Sequence, residues 1–327
     1  MNPIEGSCFL VTGGAGFIGS TIVDQLLAAN AAEVRIIDNF VRGTWTNLAQ
    51  AQKSGRIEII EGDIGDVALV NRSTQGVDYV FHEAALRITR CAESPRDGVE
   101  VLIVGTLNVL EACVTHKVKK IIAASSASVY GNPSYLPIDE AHPFNNRTLY
   151  GAGKIAEEQL LRAFYTSYGL PYVAFRYFNV YGPRMDLTGV YTEVLVRWLD
   201  AIEAGMRPQI FGDGSQSMDF VYIEDVARAN LMALESDVTD EVFNIGTGVQ
   251  TSLDQLCEEL LHLTGSPLKP VYREARRLGD AQARRAAVEK AEKMLGFKAK
   301  VSLEQGLREL IRWRQAAKAA AAVVEAS

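Results

Sequence analysis

Short apolar runs alternate with longer stretches of helical periodicity through the first half of the chain. The runs at 8–12, 34–38, 57–61, 79–82, 120–124 and 172–176 read as strands buried on both faces. Between them, segments such as 16–29, 99–116 and 150–168 carry apolar residues at i, i+3, i+4 spacing, as amphipathic helices do. This alternation predicts an α/β architecture, a doubly wound parallel sheet joined by helical crossovers. Beyond residue 177, Gly-Pro, Gly-Asp-Gly and Gly-Thr-Gly turns separate shorter elements, so a smaller α/β C-terminal lobe is expected. The expected division is 1–176, then 177–314 with part of 219–247 returning to pack on the first domain. The Ala-rich stretch 315–327 is expected as a frayed helix or loose tail.

Composition narrows the function classes. At 327 residues, with 48% hydrophobic and 22% charged, the chain is of ordinary globular make-up and long enough for a sizeable core. Lys and Arg total 33 against 40 Asp and Glu, a net charge of −7, so the basic footprint that nucleic acid demands is missing. Cys8, Cys91, Cys113 and Cys257 lie far apart, and His82, His116, His142 and His262 show no ligand spacing; reduced thiols and no metal are expected. No targeting segment and no run of 18 apolar residues is legible, so a cytoplasmic protein with no membrane partner is expected.

Chemistry gathers at the strand ends. Gly13-Gly14-Ala15-Gly16-Phe17-Ile18-Gly19 follows the first strand and opens the first helix, the context a dinucleotide turn requires. Gly13, Gly16 and Gly19 permit the tight turn and close approach to a pyrophosphate, while Phe17 and Ile18 begin the helix whose N–H groups face it. Asp38, nineteen residues beyond Gly19 and followed by Asn39, can accept both hydroxyls of an adenosine ribose. A 2′-phosphate would be repelled there, favouring NAD over NADP, although Arg42 softens that repulsion. Asp63 and Ile64, after the third strand, are placed to meet the adenine; an Asp there is also a common turn residue.

Tyr150 and Lys154 share one helix face at a spacing of four, and Ser125-Ser126-Ala127-Ser128 precedes them at the end of the fifth strand. A phenol with a reference pKa of about 10 is a poor base at neutral pH, but an adjacent ammonium and a cationic nicotinamide favour its phenolate. Tyr150 is therefore a candidate general base for a sugar hydroxyl, with Ser126 sharing the proton.

With these residues the chain resembles extended short-chain dehydrogenase/reductases of the nucleotide-sugar epimerase/dehydratase family, whose sheet is of the Rossmann type. The resemblance also rests on Arg176-Tyr177-Phe178-Asn179-Val180-Tyr181-Gly182-Pro183-Arg184, Gly212-Asp213-Gly214, Asp219-Phe220-Val221-Tyr222 with Asp225, Asn244-Ile245-Gly246 and Gly279-Asp280. It implies an NAD-binding first domain and a nucleotide-sugar-binding second lobe. It implies that Ala84 and Ala85 line the cofactor channel and that Tyr177 approaches the nicotinamide. It further implies that Asn179, Phe211, Arg277 and Asp280 bind the substrate nucleotide; Arg277 also reads as a solvated charge in a basic run.

Subclass follows from what the chain lacks. Dehydratases of the family resemble one another in an Asp-Glu pair beside the catalytic hydroxyl, where this chain has Ala127 and Ser128. What remains suits inversion at C4 of a UDP-linked sugar through a transient 4-keto sugar; the resemblance of helices 99–116 and 150–168 to those that build the family's dimer interface implies a homodimer. The alternatives are a nucleotide-sugar or other carbonyl reductase with exchangeable NAD(P)H, and a non-catalytic NAD or metabolite binder. Three positions depart from the pattern: Met218 stands where Arg usually binds phosphate, which Arg87 or Arg184 then supplies. Leu102 replaces an Asn, and Glu83 an apolar residue. Arg284 reads as a sugar-pocket residue or a surface cation.

Overall fold

A computed structural model of the chain describes residues 3–186, 194–274 and 283–325. The first six strands are β1 (Cys8–Thr12), β2 (Glu33–Asp38), β3 (Ile57–Glu61), β4 (Tyr79–His82), β5 (Lys120–Ser126) and β6 (Tyr172–Tyr177). Shorter ones follow: β7 (Asn179–Tyr181), β8 (Gln209–Phe211), β9 (Ser217–Met218), β10 (Phe220–Tyr222), β11 (Glu241–Ile245), β12 (Thr251–Ser252) and β13 (Val271–Arg273). One seven-stranded parallel sheet runs in the order β3-β2-β1-β4-β5-β6-β11, the Rossmann-type arrangement. Strand order reverses between β1 and β4, and the crevice of such a sheet opens there.

Both faces of the sheet are covered, as an all-parallel sheet requires. The helices Phe17–Ala28 and Ile223–Glu235 pack on one face with Ile22, Val23, Leu26, Val226 and Ala229 buried. Thr106–Thr115 and Leu149–Tyr168 cover the other, burying Val109, Leu110, Leu161 and Phe164. A separate core forms around Tyr181, Leu195, Trp198, Leu256, Leu260 and Leu307 in the C-terminal region. Strand β11 lies far along the chain yet pairs in register with β6, and so adds the sheet's last strand.

Three local differences from the sequence pattern have physical causes. Strands β5 and β6 run past their apolar stretches, because Ser125 pairs with Arg176 and Ser126 with Tyr177. The helix expected over 99–116 starts at Pro95, a residue suited to a first helical turn, and passes through a π-helical turn at Glu100–Gly105. There Leu102 is buried against Gly153, whose added Cβ would lie 2.7 Å from its Cδ1, so apolar packing occupies this departure from the family pattern. The Ala-rich end is not a loose tail through Glu325: the helix Leu303–Glu325 is continuous, anchored by buried Leu307, Leu310 and Arg314 and extended by residues of high helix propensity.

Several family-like motif residues act as braces. Arg176 grips Glu158 bidentately, at 2.9 and 2.7 Å, and donates to Tyr130 Oη at 2.9 Å. Ser125 donates to the same Glu158 at 2.5 Å, and Tyr130 donates to Asn244 Oδ1 at 2.6 Å, so one polar chain ties β5, β6, β11 and the Leu149–Tyr168 helix. The buried Asp219 carboxylate accepts backbone N–H bonds from Thr247, Gly248 and Ala286, and Asp225 accepts those of Lys300 and Val301. Replacing one partner of the buried Arg176–Glu158 pair leaves a charge without compensation. Glu158→Ala is expected to cost about 3–5 kcal/mol, measured by equilibrium denaturant unfolding.

Candidate active site

The glycine turn forms the floor of the crevice. Gly13 sits at φ +68°, and a Cβ there would lie 2.8 Å from the Ala84 backbone; at Gly19 it would strike the Gly13 carbonyl. Neither position admits a side chain without moving main chain. Gly16 caps the Phe17–Ala28 helix with no side-chain oxygen, so the first helical N–H groups remain for an anion. At the end of β2, Asp38 accepts N–H bonds from Ala15 and Phe40, each at 2.9 Å, which fixes its carboxylate beside the turn. Burial raises its pKa, against the backbone N–H bonds that lower it. Asn39 donates to Asp63 Oδ2 at 2.7 Å, drawing the ends of β2 and β3 together next to buried Ile64.

The opposite wall comes from β4, β5, β6 and the helix that begins at Leu149. Thr148 caps that helix by accepting from Gly151 N, and one turn later Lys154 is 1% exposed. Its Nζ donates to Ala124 O at 2.5 Å and to Glu157 Oε2 at 2.8 Å. Burial alone would lower the lysine pKa, but Glu157, then Tyr150 and Glu83, more than reverse this, and the ammonium is favoured. His82 lies behind it, bonded to Thr12 at 2.8 Å and Thr106 at 3.0 Å; burial, then Lys154, push its pKa down to about 3, so it is neutral. Glu83 is pushed up to about 8 by burial, and Glu157 to about 7. Tyr177 Oη accepts from Asn230 Nδ2 at 2.8 Å and lies 3.2 Å from Glu83 Oε1.

These walls enclose a cavity of about 580 Å³, a size typical of small-molecule sites. Of the residues singled out in the sequence, Gly13, Gly16, Phe17, Ile18, Gly19, Asp38, Asn39, Asp63 and Ile64 line it from one side. Ala84, Ala85, Arg87, Tyr150, Lys154 and Tyr177 line it from the other. Ser126 is not among its lining residues; its Oγ accepts from Ser128 N at 3.1 Å, and Ser125 and Ser128 line the cavity instead. Asn179, paired with Phe220 in β7, and Phe211, at the end of β8, also lie outside the lining. Arg277 and Asp280 fall outside the described residues. Arg87 faces Asp186 at 3.4 Å, and Arg184 pairs with Asp24.

Sequence reasoning missed Trp313, which lines the cavity from the C-terminal helix, and Asn47, whose Nδ2 donates to Ala15 O at 2.9 Å beneath the turn. It also missed Glu157, which the i+3 spacing from Lys154 does not distinguish from a surface ion pair.

Residues 9–246 match the model of the NAD dependent epimerase/dehydratase family. The chain belongs to this family. It is 36% identical over 307 residues to the UDP-glucose 4-epimerase of Mycolicibacterium smegmatis, covering 93% of this chain and 97% of that protein. Among solved structures, the UDP-N-acetylglucosamine 4-epimerase of Methanobrevibacter ruminantium in complex with UDP-N-acetylmuramic acid superposes with a TM-score of 0.91 at 36% identity, over 96% of this chain and 99% of that one. The UDP-glucose 4-epimerase of Thermotoga maritima with UDP-glucose gives a TM-score of 0.89 at 37% identity, over 95% and 99%.

NAD is the cofactor of this epimerase/dehydratase family member, and the residues present fit it. The side-chain-free approach at Gly13, the open helix N-terminus at Gly16 and the tethered Asp38 carboxylate suit pyrophosphate and ribose. Charge-assisted hydrogen bonds contribute about 1.5–3 kcal/mol each. Asp38→Ala is accordingly expected to weaken NAD binding by about tenfold to a hundredfold in calorimetry.

Proposed function

We propose that the protein inverts C4 of a UDP-linked sugar. The observation that carries this reading is the placing of Tyr150 and Lys154 together on the wall of the cavity that the glycine turn and Asp38 also line. The UDP-sugar complexes of the structural relatives support the substrate class. The turn after β5 favours epimerisation over dehydration, since Ala127 and Ser128 offer no acid and base for removing water across C5 and C6.

Gly13, Gly16, Gly19 and Asp38 would hold NAD, with Asp63 and Ile64 at its adenine end and Tyr177 and Ala84 toward the nicotinamide. When bound, NAD supplies a hydride acceptor and, once reduced, a donor. Tyr150 takes the C4 hydroxyl proton as that carbon is oxidised and returns it as the carbon is reduced on its other face. Lys154 favours the phenolate by its charge. Ser126, at the head of the turn that carries Ser128, shares the proton, although Ser128 and Ser125 are the hydroxyls lining the cavity. Asn179, Phe211, Arg277, Asp280 and Arg87 anchor the nucleotide, so that the sugar is free to turn between the two half-reactions.

The helices spanning Pro95–Thr115 and Leu149–Tyr168 are proposed to build a homodimer interface. The first is apolar enough and long enough to cross a membrane, and about half of it is buried within the chain, leaving apolar surface for a second copy. Light scattering is expected to give twice the chain mass; the monomer mass would contradict this.

Purified protein is expected to interconvert UDP-sugars differing at C4 without added cofactor, as read by chromatography. Tyr150→Phe is expected to lower kcat by about 10²–10⁴ while leaving NAD bound. Stoichiometric consumption of NADH or NADPH would identify a reductase instead.

A further inference from the structure

Glu83 and Lys154 line the cavity beside Tyr150, and Glu157, which does not line it, is bonded to Lys154. Lys154 has three N–H donors, of which Ala124 O and Glu157 Oε2 take two. The third is left for the cavity that Lys154 lines. Glu157 is 1% exposed, and its other oxygen, Oε1, is buried with no hydrogen-bond partner; Glu83 Oε2 is in the same condition. Leaving buried carboxylate oxygens unpaired is costly, so an arrangement that keeps both calls for a compensating interaction.

For Glu157 that interaction is the 2.8 Å ion pair with Lys154, whose charge also opposes the rise that burial gives Glu83. Burial disfavours ionising both acids beside a single ammonium, so the pair gives up its protons less readily than free carboxyls do. Burial pushes Glu83 up to about 8, and Glu157 is the counter-ion in contact with the ammonium. The remaining titratable neighbours do not take this role. His82, on β4, is neutral, and Cys91, from the Ile88–Glu93 helix, is raised by burial. Tyr177, on β6, is held well above its usual range by burial and Glu83, while Glu158 is committed to Arg176.

We propose that Glu157 is a positioning residue that, through Lys154, sets the pH range in which Tyr150 works. Glu157 anchors the ammonium against β5 and directs its third N–H toward the cleft. Its negative charge offsets part of the field that the ammonium exerts on the phenol. This rests on the reading of Tyr150 as the base, and it assigns the chain a carboxylate control that the Tyr-Lys spacing alone does not contain.

The test is the Glu157→Gln variant of the full-length, NAD-loaded protein, which keeps shape and acceptor but removes charge. The acidic limb of kcat/KM for UDP-sugar interconversion is expected to move to lower pH by about half to one unit. Glu157→Asp, which retains the charge, is expected to restore the parental limb. Glu83→Gln removes a carboxyl that is still protonated at neutral pH and is expected to alter the alkaline limb instead. A second readout needs no turnover: the ultraviolet titration difference between each protein and its Tyr150→Phe counterpart isolates the one phenol. If Glu157→Gln shifts this titration downward in a protein that turns over no UDP-sugar, the positioning role stands and the epimerase reading falls. If the protein epimerises but neither limb nor titration moves, the positioning role is overturned and the epimerase reading stands. Should Glu157→Gln fail to fold, the neutral Glu157→Met and the charge-retaining Glu157→Asp decide: a phenol that titrates alike in both overturns the proposal.

Discussion

Between β1 and β4 the strand order reverses, and the crevice of such a sheet opens at the carboxyl ends of the strands there. Every feature of the site follows from that constraint. The turn after β1 must be tight enough for the backbone of Ala84 to pass beside Gly13, which excludes any side chain. The ends of β2, β4, β5 and β6 then deliver Asp38, Glu83, Ser125 and Tyr177 to one cavity, although they are far apart in the chain. His82 bridges the reversal itself, its two ring nitrogens bonded to Thr12 of β1 and to Thr106 of the neighbouring helix. Its neutrality keeps a second cation away from Lys154.

The second constraint is electrostatic. An ammonium that is 1% exposed persists as a cation only if its surroundings replace the water it has lost. Ala124 O and Glu157 do so for Lys154, and the helix that carries Lys154 is in turn held by the Glu158–Arg176 pair one residue further on. The same helix thus has two buried carboxylates in succession. Glu157 serves the site and Glu158 serves the sheet, because α-helical geometry turns adjacent residues about 100° apart.

What was legible in the sequence was local. The glycine turn, Asp38 and the Tyr150–Lys154 spacing are short patterns whose chemistry depends on one turn or one helix face, and all of them line the cavity. Strand and helix positions were legible for the same reason, since period and burial coincide in a parallel sheet. The sheet's seventh strand was less so, because β11 reaches β6 only after a long excursion through the C-terminal region. Motif residues such as Asp219, Asp225 and Asn244 carry the family resemblance, and their bonds to backbone and to Tyr130 make them braces. Trp313 and Glu157 carried no signal, since their place depends on which helices pack together. The sequence singles out Ser126 as the hydroxyl beside Tyr150, but β5 ends with Ser125 on Glu158 and Ser126 capping the following turn, and Ser125 and Ser128 line the cavity instead.

The most direct test of the account follows the hydrogen on C4. A UDP-hexose carrying deuterium at C4 should yield its C4 epimer with the label still on that carbon, because the hydride leaves and returns within one closed site. Label found in solvent, or in NADH released from the protein, would contradict it.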